Sequence, residues 1–217
     1  MRRPDRRVPD PRFHVTTFPR AAELRRRLPR LLVGVPLLGI GIAMTVEAQL
    51  GVSPFDVLHQ GISERTGLSF GTVVIALGIV ILVLWVPVRQ RPGIGTLLNT
   101  LTVGLVIDAA LRLLPGPDVM VGRVGFLVGG VVVTALGMGC YIGAGLGPGP
   151  RDGLMTGIAA WGPRVWVVRT VLEVAALAVG WALGGRVGIG TLVFALSIGP
   201  LGQFFLHRFH LGEPLTP

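Results

Sequence analysis

Six long apolar stretches constrain the fold more than any other feature of the sequence. They cover residues 31–50, 71–88, 94–114, 121–143, 164–184 and 188–206. Each is near the ~20 residues that a helix needs to cross a hydrocarbon core. With 51% hydrophobic and 14% charged residues, the chain has too few charges to cover a soluble domain. The stretches are continuous rather than alternating, which favours helices over barrel strands. The sequence therefore predicts an all-α membrane bundle of about six transmembrane helices.

The positive charge is concentrated at the N-terminus. Residues 1–30 contain ten arginines and three acidic residues, whereas the rest of the chain contains ten arginines and eight acidic residues. A basic arm can bind nucleic acid, but its place beside the first apolar stretch favours a topological anchor. By the positive-inside rule we expect residues 1–30 to be a cytoplasmic tail that touches anionic lipid headgroups. No nucleic-acid partner is expected.

An internal repeat divides the hydrophobic region. Residues 50–62 and 146–158 match at seven of thirteen positions with an offset of 96, and residues 93–97 and 188–192 are identical with an offset of 95. Such matches predict an ancient duplication. Three spans per copy would invert the second copy in the membrane, an arrangement common among secondary transporters. The predicted organisation is one transmembrane domain and a short tail: repeat one at 31–114, repeat two at 121–206, and the tail at 207–217.

The repeated motif predicts a short helix in each copy. Ser53 is a suitable N-cap and Pro54 fits the first helical position. Asp56 completes a capping-box pattern, in which its carboxylate would accept from the backbone N–H of Ser53. The helices expected over residues 54–62 and 150–161 are too short to cross a bilayer, so they are re-entrant or lie at the interface.

The two motif aspartates, Asp56 and Asp152, have two interpretations. They cap helix starts whose N–H groups lipid cannot satisfy. Alternatively, two half-helix N-termini meet near the midplane and bind an anionic group, or the carboxylates bind a cation or proton. The candidate substrate-binding or ion-binding residues are the motif positions and one nearby carboxylate without a counterpart in the second copy: Gly51, Ser53, Pro54, Asp56, Gly147, Pro150, Asp152 and Glu47.

Other charged residues within the spans have simpler explanations. Arg169 and Glu173 are four residues apart on one helix and are expected to form a structural ion pair. Asp108 is expected to pair with Arg112 at the membrane interface. We find no catalytic or metal-binding pattern and expect no enzyme activity, metal or cofactor. Glycine pairs with a spacing of four indicate close helix packing: Gly125 and Gly129, Gly139 and Gly143, Gly180 and Gly184.

A family resemblance is carried by three stretches, LGVSPFDVLHQGIS, VPVRQRPGIGTLLN and GLGPGPRDGLMTG. They closely resemble the YczE/YyaS/YitT group of bacterial integral membrane proteins, especially its YczE-like branch. The likeness covers most of residues 31–206, although the second motif has Arg151 where the first has Phe55. The resemblance implies a multi-pass protein of the bacterial cytoplasmic membrane and supplies no activity or catalytic residue.

Together these features predict a small secondary transporter or permease with a site between the two half-helices for a small solute or ion. The alternative is a non-transporting membrane protein that scaffolds or regulates a partner. That alternative is motivated by the lack of a solute-specific signature and by the many glycines available for packing.

Overall fold

The computed structural model describes residues 21–209, with side chains from residue 24 onward. Within that range the chain forms eight α-helices and no strand. They are α1 (Ala21–Glu47), α2 (Pro54–Thr66), α3 (Phe70–Leu84), α4 (Ile94–Leu113), α5 (Met120–Gly143), α6 (Pro150–Ala159), α7 (Val165–Ala182) and α8 (Ile189–Phe209). Five helices are long and apolar enough to cross a membrane, and α2 with α3 adds a sixth crossing if that bent pair is one span. The predicted polytopic helical bundle is confirmed.

The second crossing is built from two helices rather than one. α2 and α3 meet at an angle of 114°. Gly67, with φ of 74°, ends α2 in the left-handed conformation that glycine adopts without strain. Two residues later, Ser69 starts α3 by accepting a hydrogen bond from the Thr72 N–H. A C-cap followed at once by an N-cap explains the bend.

The centre of the bundle is a close crossing of α1 and α5. A β-carbon at Gly34 would overlap the backbone at Gly137, and one at Gly41 would overlap the backbone at Gly130 and Thr134. Residues later in α1 contact residues earlier in α5, so the two helices are antiparallel. Gly125 has no atom within 4 Å of its β-carbon position, so the expectation of close packing there is wrong.

The second set of four helices follows the first in the same order. The residues with positive φ within residues 21–209 pair at the sequence offset of 95 or 96: Gln49 with Gly145, Gly51 with Gly147, Gly67 with Gly162, and Arg89 with Gly184. Two matching hydrogen bonds also link the halves. The Gly95 N–H donates to the Leu146 carbonyl (2.9 Å), and the Gly190 N–H donates to the Leu50 carbonyl (2.7 Å). These correspondences and the antiparallel α1 and α5 have the pattern that the predicted duplication requires, and the duplication itself stays a prediction.

Asp108 caps α3, and this replaces the expected pairing with Arg112. Its carboxylate accepts hydrogen bonds from the Ser69 hydroxyl (2.5 Å) and from the Gly71 N–H (2.7 Å). The tertiary contact between α3 and α4 brings the carboxylate to a helix start that needs an acceptor. The spacing of residues along α4 alone could not predict the contact of Asp108 with the start of α3.

Two arginines near the start of α1 bind the ends of other helices. Arg27 donates to the carbonyl of Gly145, just after α5, and Arg30 donates to the carbonyl of Phe209 at the end of α8. Guanidinium groups satisfy terminal carbonyls that have no partner within their helix. The start of α1 and the ends of α5 and α8 therefore lie together. Residues 1–20 of the predicted basic tail and residues 210–217 lie outside the described residues.

Candidate functional site

A cavity of about 150 Å³ lies where α2 and α6 begin. Residues related by the repeat offset line it in pairs: Ser53 and Gly149, Phe55 and Arg151, Asp56 and Asp152. The guanidinium of Arg151 lies over the ring of Phe55, 5.1 Å from the centroid, in cation–π geometry. One pair of equivalent positions, Phe55 and Arg151, is therefore in direct contact, and both half-helices start at one cavity.

Asp56 lies on the cavity wall and is almost completely buried. The Ser53 hydroxyl accepts a hydrogen bond from the Asp56 N–H (3.2 Å) and donates one to the Asp56 carboxylate (2.5 Å). The predicted N-cap is present, but the carboxylate is held by the serine hydroxyl rather than by its backbone N–H. His59 Nδ1 lies 3.1 Å from the other carboxylate oxygen. Sequence reasoning missed this carboxylate–imidazole pair.

Asp152 has the same position in the second motif but different surroundings. Its side chain is 37% exposed, and the nearest cation, Arg151 Nε, is 3.9 Å from its carboxylate. The N-cap position holds Gly149, which offers no side-chain hydrogen bond. The backbone is nevertheless alike, with φ and ψ of −62° and 157° at Gly149 and of −58° and 155° at Ser53. The two copies thus present different chemistry on matching backbones.

Three buried polar atoms on the cavity wall lack a hydrogen-bond partner among the described residues. They are Asn99 Oδ1, Thr134 Oγ1 and Tyr141 OH. Each of these side chains is more than nine-tenths buried. A buried polar group without a partner costs roughly 1–3 kcal/mol, so three around one cavity indicate a place for a polar ligand.

The sequence carried a signal for two of these residues that the motif analysis did not use. Asn99 is the single asparagine of the chain and Tyr141 is its single tyrosine. Both fall within apolar stretches, where polar side chains tend to mark functional positions. Their meeting at one cavity depends on how α4 and α5 pack and is not visible in the sequence.

Trp85 fixes the start of α6 against α3. Its side chain is 1% exposed, and its indole N–H donates to the carbonyl of Pro150 (2.9 Å). The ring lies where a β-carbon of Gly153 would be, so glycine at that position allows the contact. The contact of Trp85 with the start of α6 was not predicted.

Some of the predicted site residues do not line the cavity. Glu47 lies at the end of α1, with its carboxylate beside Gly116 in the connection between α4 and α5. Pro54 is the first residue of α2 and is buried outside the cavity lining. The predicted set is therefore split, and Ser53, Asp56 and Asp152 are on the cavity wall with Pro150.

Gly51 and Gly147 shape the loops that lead into the half-helices. Their φ angles are 105° and 130°, values that residues with a side chain rarely adopt. Gly51 packs against the backbone of Gly188, and Gly147 packs against the backbone of Gly93. Both glycines position the motif without contacting the cavity.

Away from the cavity, Arg169 Nε lies 3.0 Å from the Glu173 carboxylate on α7, the pairing expected from their spacing. Residues 21–209 contain no cluster of three or more His, Cys, Asp or Glu side chains that could hold a metal ion. The cavity offers the carboxylate–imidazole pair of Asp56 and His59 and the hydrogen-bonding capacity of the unpartnered polar groups.

Comparison with known proteins gives the chain a family. A sequence-family model, described as a family of unknown function (DUF6198), matches residues 25–207. The chain belongs to this family. It is 38% identical over 178 residues to an uncharacterised protein of Haemophilus influenzae, with 82% of each chain covered. It is 35% identical over 187 residues to the uncharacterised membrane protein YczE of Bacillus subtilis, covering 85% of this chain and 87% of YczE.

A third relative, the uncharacterised protein YyaS of Bacillus subtilis, is 28% identical over 182 residues, covering 82% of this chain and 89% of YyaS. The predicted likeness to the YczE group is therefore confirmed. The name of YczE describes a membrane protein, in agreement with the apolar helices of the structure. No solved structure matches the chain.

Proposed function

We propose that this protein is a small secondary transporter that moves a solute without converting it chemically. Its solute site would be the cavity between the starts of α2 and α6. The observation that carries the proposal is the convergence there of both motif aspartates with three buried polar atoms that lack partners. A site built from half-helix starts near the centre of two repeats is the usual plan of secondary transporters.

The arrangement of the helices supports a way to alternate access. α1 and α5 are antiparallel and cross on glycines, so two inverted halves could rock against each other around the cavity. In the proposed orientation the protein lies in the bacterial cytoplasmic membrane with its N-terminus inside, as the N-terminal arginines favour.

We assign proton coupling to Asp56 and His59 rather than to Glu47. Asp56 is buried on the cavity wall and contacts His59 at 3.1 Å, whereas Glu47 lies outside the cavity. Gain or loss of one proton changes the charge of this pair directly beside the solute. Such a change alters solute affinity and could couple the two fluxes.

The test is uptake by purified protein in proteoliposomes. A mixture of small cations, anions and neutral solutes is offered outside; mass spectrometry reads uptake and an enclosed pH-sensitive dye reads proton entry. Asp56→Asn and Asp152→Asn are expected to lower uptake by about tenfold or more, since each removes a charge beside the solute. Asp118→Asn, an exposed carboxylate in the connection between α4 and α5, is the matched control and should leave uptake unchanged.

Two results would remove the transport proposal. One is normal uptake by both cavity variants. The other is no uptake of any solute by folded, inserted protein. In that second case, co-purification of one stable partner would favour the scaffold or regulatory alternative.

A further inference from the structure

Three polar groups converge in front of Gly149 at the start of α6. A β-carbon at this glycine would lie 3.3 Å from Asp152 Oδ2, 3.6 Å from the amide nitrogen of Asn99 and 3.6 Å from the Tyr141 hydroxyl. One point is thus within reach of a carboxylate, an amide and a phenol. In the first motif the equivalent position carries the Ser53 side chain, which holds Asp56. At Gly149 no side chain holds Asp152 in this way.

The charges around this point favour a cation. The Asp56 carboxylate already accepts from Ser53 and contacts His59, whereas the Asp152 carboxylate has no hydrogen-bond donor in the described part of the chain. Arg151 lies over the Phe55 ring, and its Nε is 3.9 Å from Asp152, at the outer limit of an ion pair. An anion at this point would face the Asp152 charge directly.

The hydrogen-bonding groups select an ammonium group among cations. A primary ammonium has three donors, and the site offers three acceptors: the Asp152 carboxylate, the Asn99 amide oxygen and the Tyr141 hydroxyl. Asn99 Oδ1 is buried without a partner among the described residues, and rotation of the amide would present it to the point in front of Gly149. Hard inorganic cations such as Ca²⁺ and Mg²⁺ take six or so oxygen ligands, which this wall does not supply.

The rest of the cavity accommodates a small apolar body. Leu38, Ile42, Val103 and Ile198 contribute to its wall. Its volume of about 150 Å³ resembles that of protein cavities that hold benzene, so an apolar group of about that size fits.

We propose that Asp152, Asn99 and Tyr141 bind the ammonium group of a small primary amine whose apolar part fills the cavity between α1, α4 and α8. This inference rests on the proposed function and names the solute class of the same site.

The test is calorimetric binding of benzylamine, n-hexylamine and isoamylamine to the purified full-length protein in detergent. Benzyl alcohol and benzoate serve as matched probes that lack the ammonium group. We expect at least one of the three amines to bind. If benzylamine binds, benzyl alcohol and benzoate should each bind about tenfold more weakly or worse. Asp152→Asn should weaken amine binding by about tenfold or more and Tyr141→Phe by several-fold. The control Asp118→Asn should bind like the unaltered protein.

Gly149→Ser separates binding from folding. The backbone at this position already matches that of Ser53, so serine can cap α6 there and thermal stability should be kept or raised. Its side chain would occupy the ammonium position, and amine binding should be lost. The inference is overturned if none of the three amines binds, if benzoate or benzyl alcohol binds as well as benzylamine, or if Gly149→Ser binds normally.

Uptake of the bound amine into proteoliposomes distinguishes this inference from the proposed function. Binding that depends on Asp152 without any uptake would refute transport and leave the amine site standing. Uptake of another solute by protein that binds no amine would refute the amine site and leave transport standing.

Discussion

Ser53→Ala tests how much the buried cap contributes to stability. The serine hydroxyl accepts from the Asp56 N–H and donates to the Asp56 carboxylate, and its side chain is 2% exposed. Loss of an N-cap costs about 1 kcal/mol. Loss of a buried hydrogen bond to a charged group costs a further ~2 kcal/mol, because water cannot replace it. We expect the free energy of unfolding to fall by about 3 kcal/mol.

The chain provides a matched control in Ser69→Ala. Ser69 accepts from the Thr72 N–H at 3.2 Å and donates to Asp108 on α4 at 2.5 Å, the same two distances as at Ser53, but it is exposed. Water can take over its hydrogen bonds, so we expect a loss of about 1 kcal/mol. The assay is reversible unfolding in mixed micelles of increasing sodium dodecyl sulfate, followed by tryptophan fluorescence. Equal losses in the two variants would refute the argument from burial.

Two further predictions concern the helix crossing and the topology. Gly137→Ala should lower the free energy of unfolding by about 1–3 kcal/mol because its β-carbon would meet the backbone of α1. Gly125→Ala, on the same helix but facing open space, should be neutral or stabilising. Similar destabilisation by both substitutions would contradict the packing described. In a Cys140→Ala background, Leu68→Cys and Pro163→Cys lie at exposed positions 95 residues apart. Inverted halves predict labelling by a membrane-impermeant maleimide from opposite faces in cells, and labelling of both from one face would exclude the inversion.

Local features of the fold were predictable from the sequence. The apolar stretches mark the long helices to within a few residues, except that α1 begins at Ala21 rather than residue 31 and α3 ends at Leu84 rather than residue 88. The Ser53 cap and the start of α2 at Pro54 also follow from local chemistry. Hydropathy misses the helical start of α1 because the four arginines at residues 25–30 lower the local mean hydropathy. Only the structure shows that Arg27 and Arg30 bind the ends of other helices.

The candidate site was only partly predictable. The motif located Asp56 and Asp152, since a repeated carboxylate at a helix start is visible in the sequence. It did not reveal His59, Asn99 or Tyr141, which reach the cavity from positions outside the shared residues of the motif. Glu47 looked equally suitable by sequence, yet the structure directs it toward the connection between α4 and α5.

The sequence by itself determined that this chain is a helical membrane protein, where its helices run, and where two short helices begin. Those properties depend on hydropathy and capping, which act over a few turns of chain. Only the tertiary structure decided that the two short helices start at one cavity and that the lone asparagine and tyrosine line it. The physical reason is that convergence depends on the antiparallel crossing of α1 and α5, which glycines on both helices allow through backbone contact.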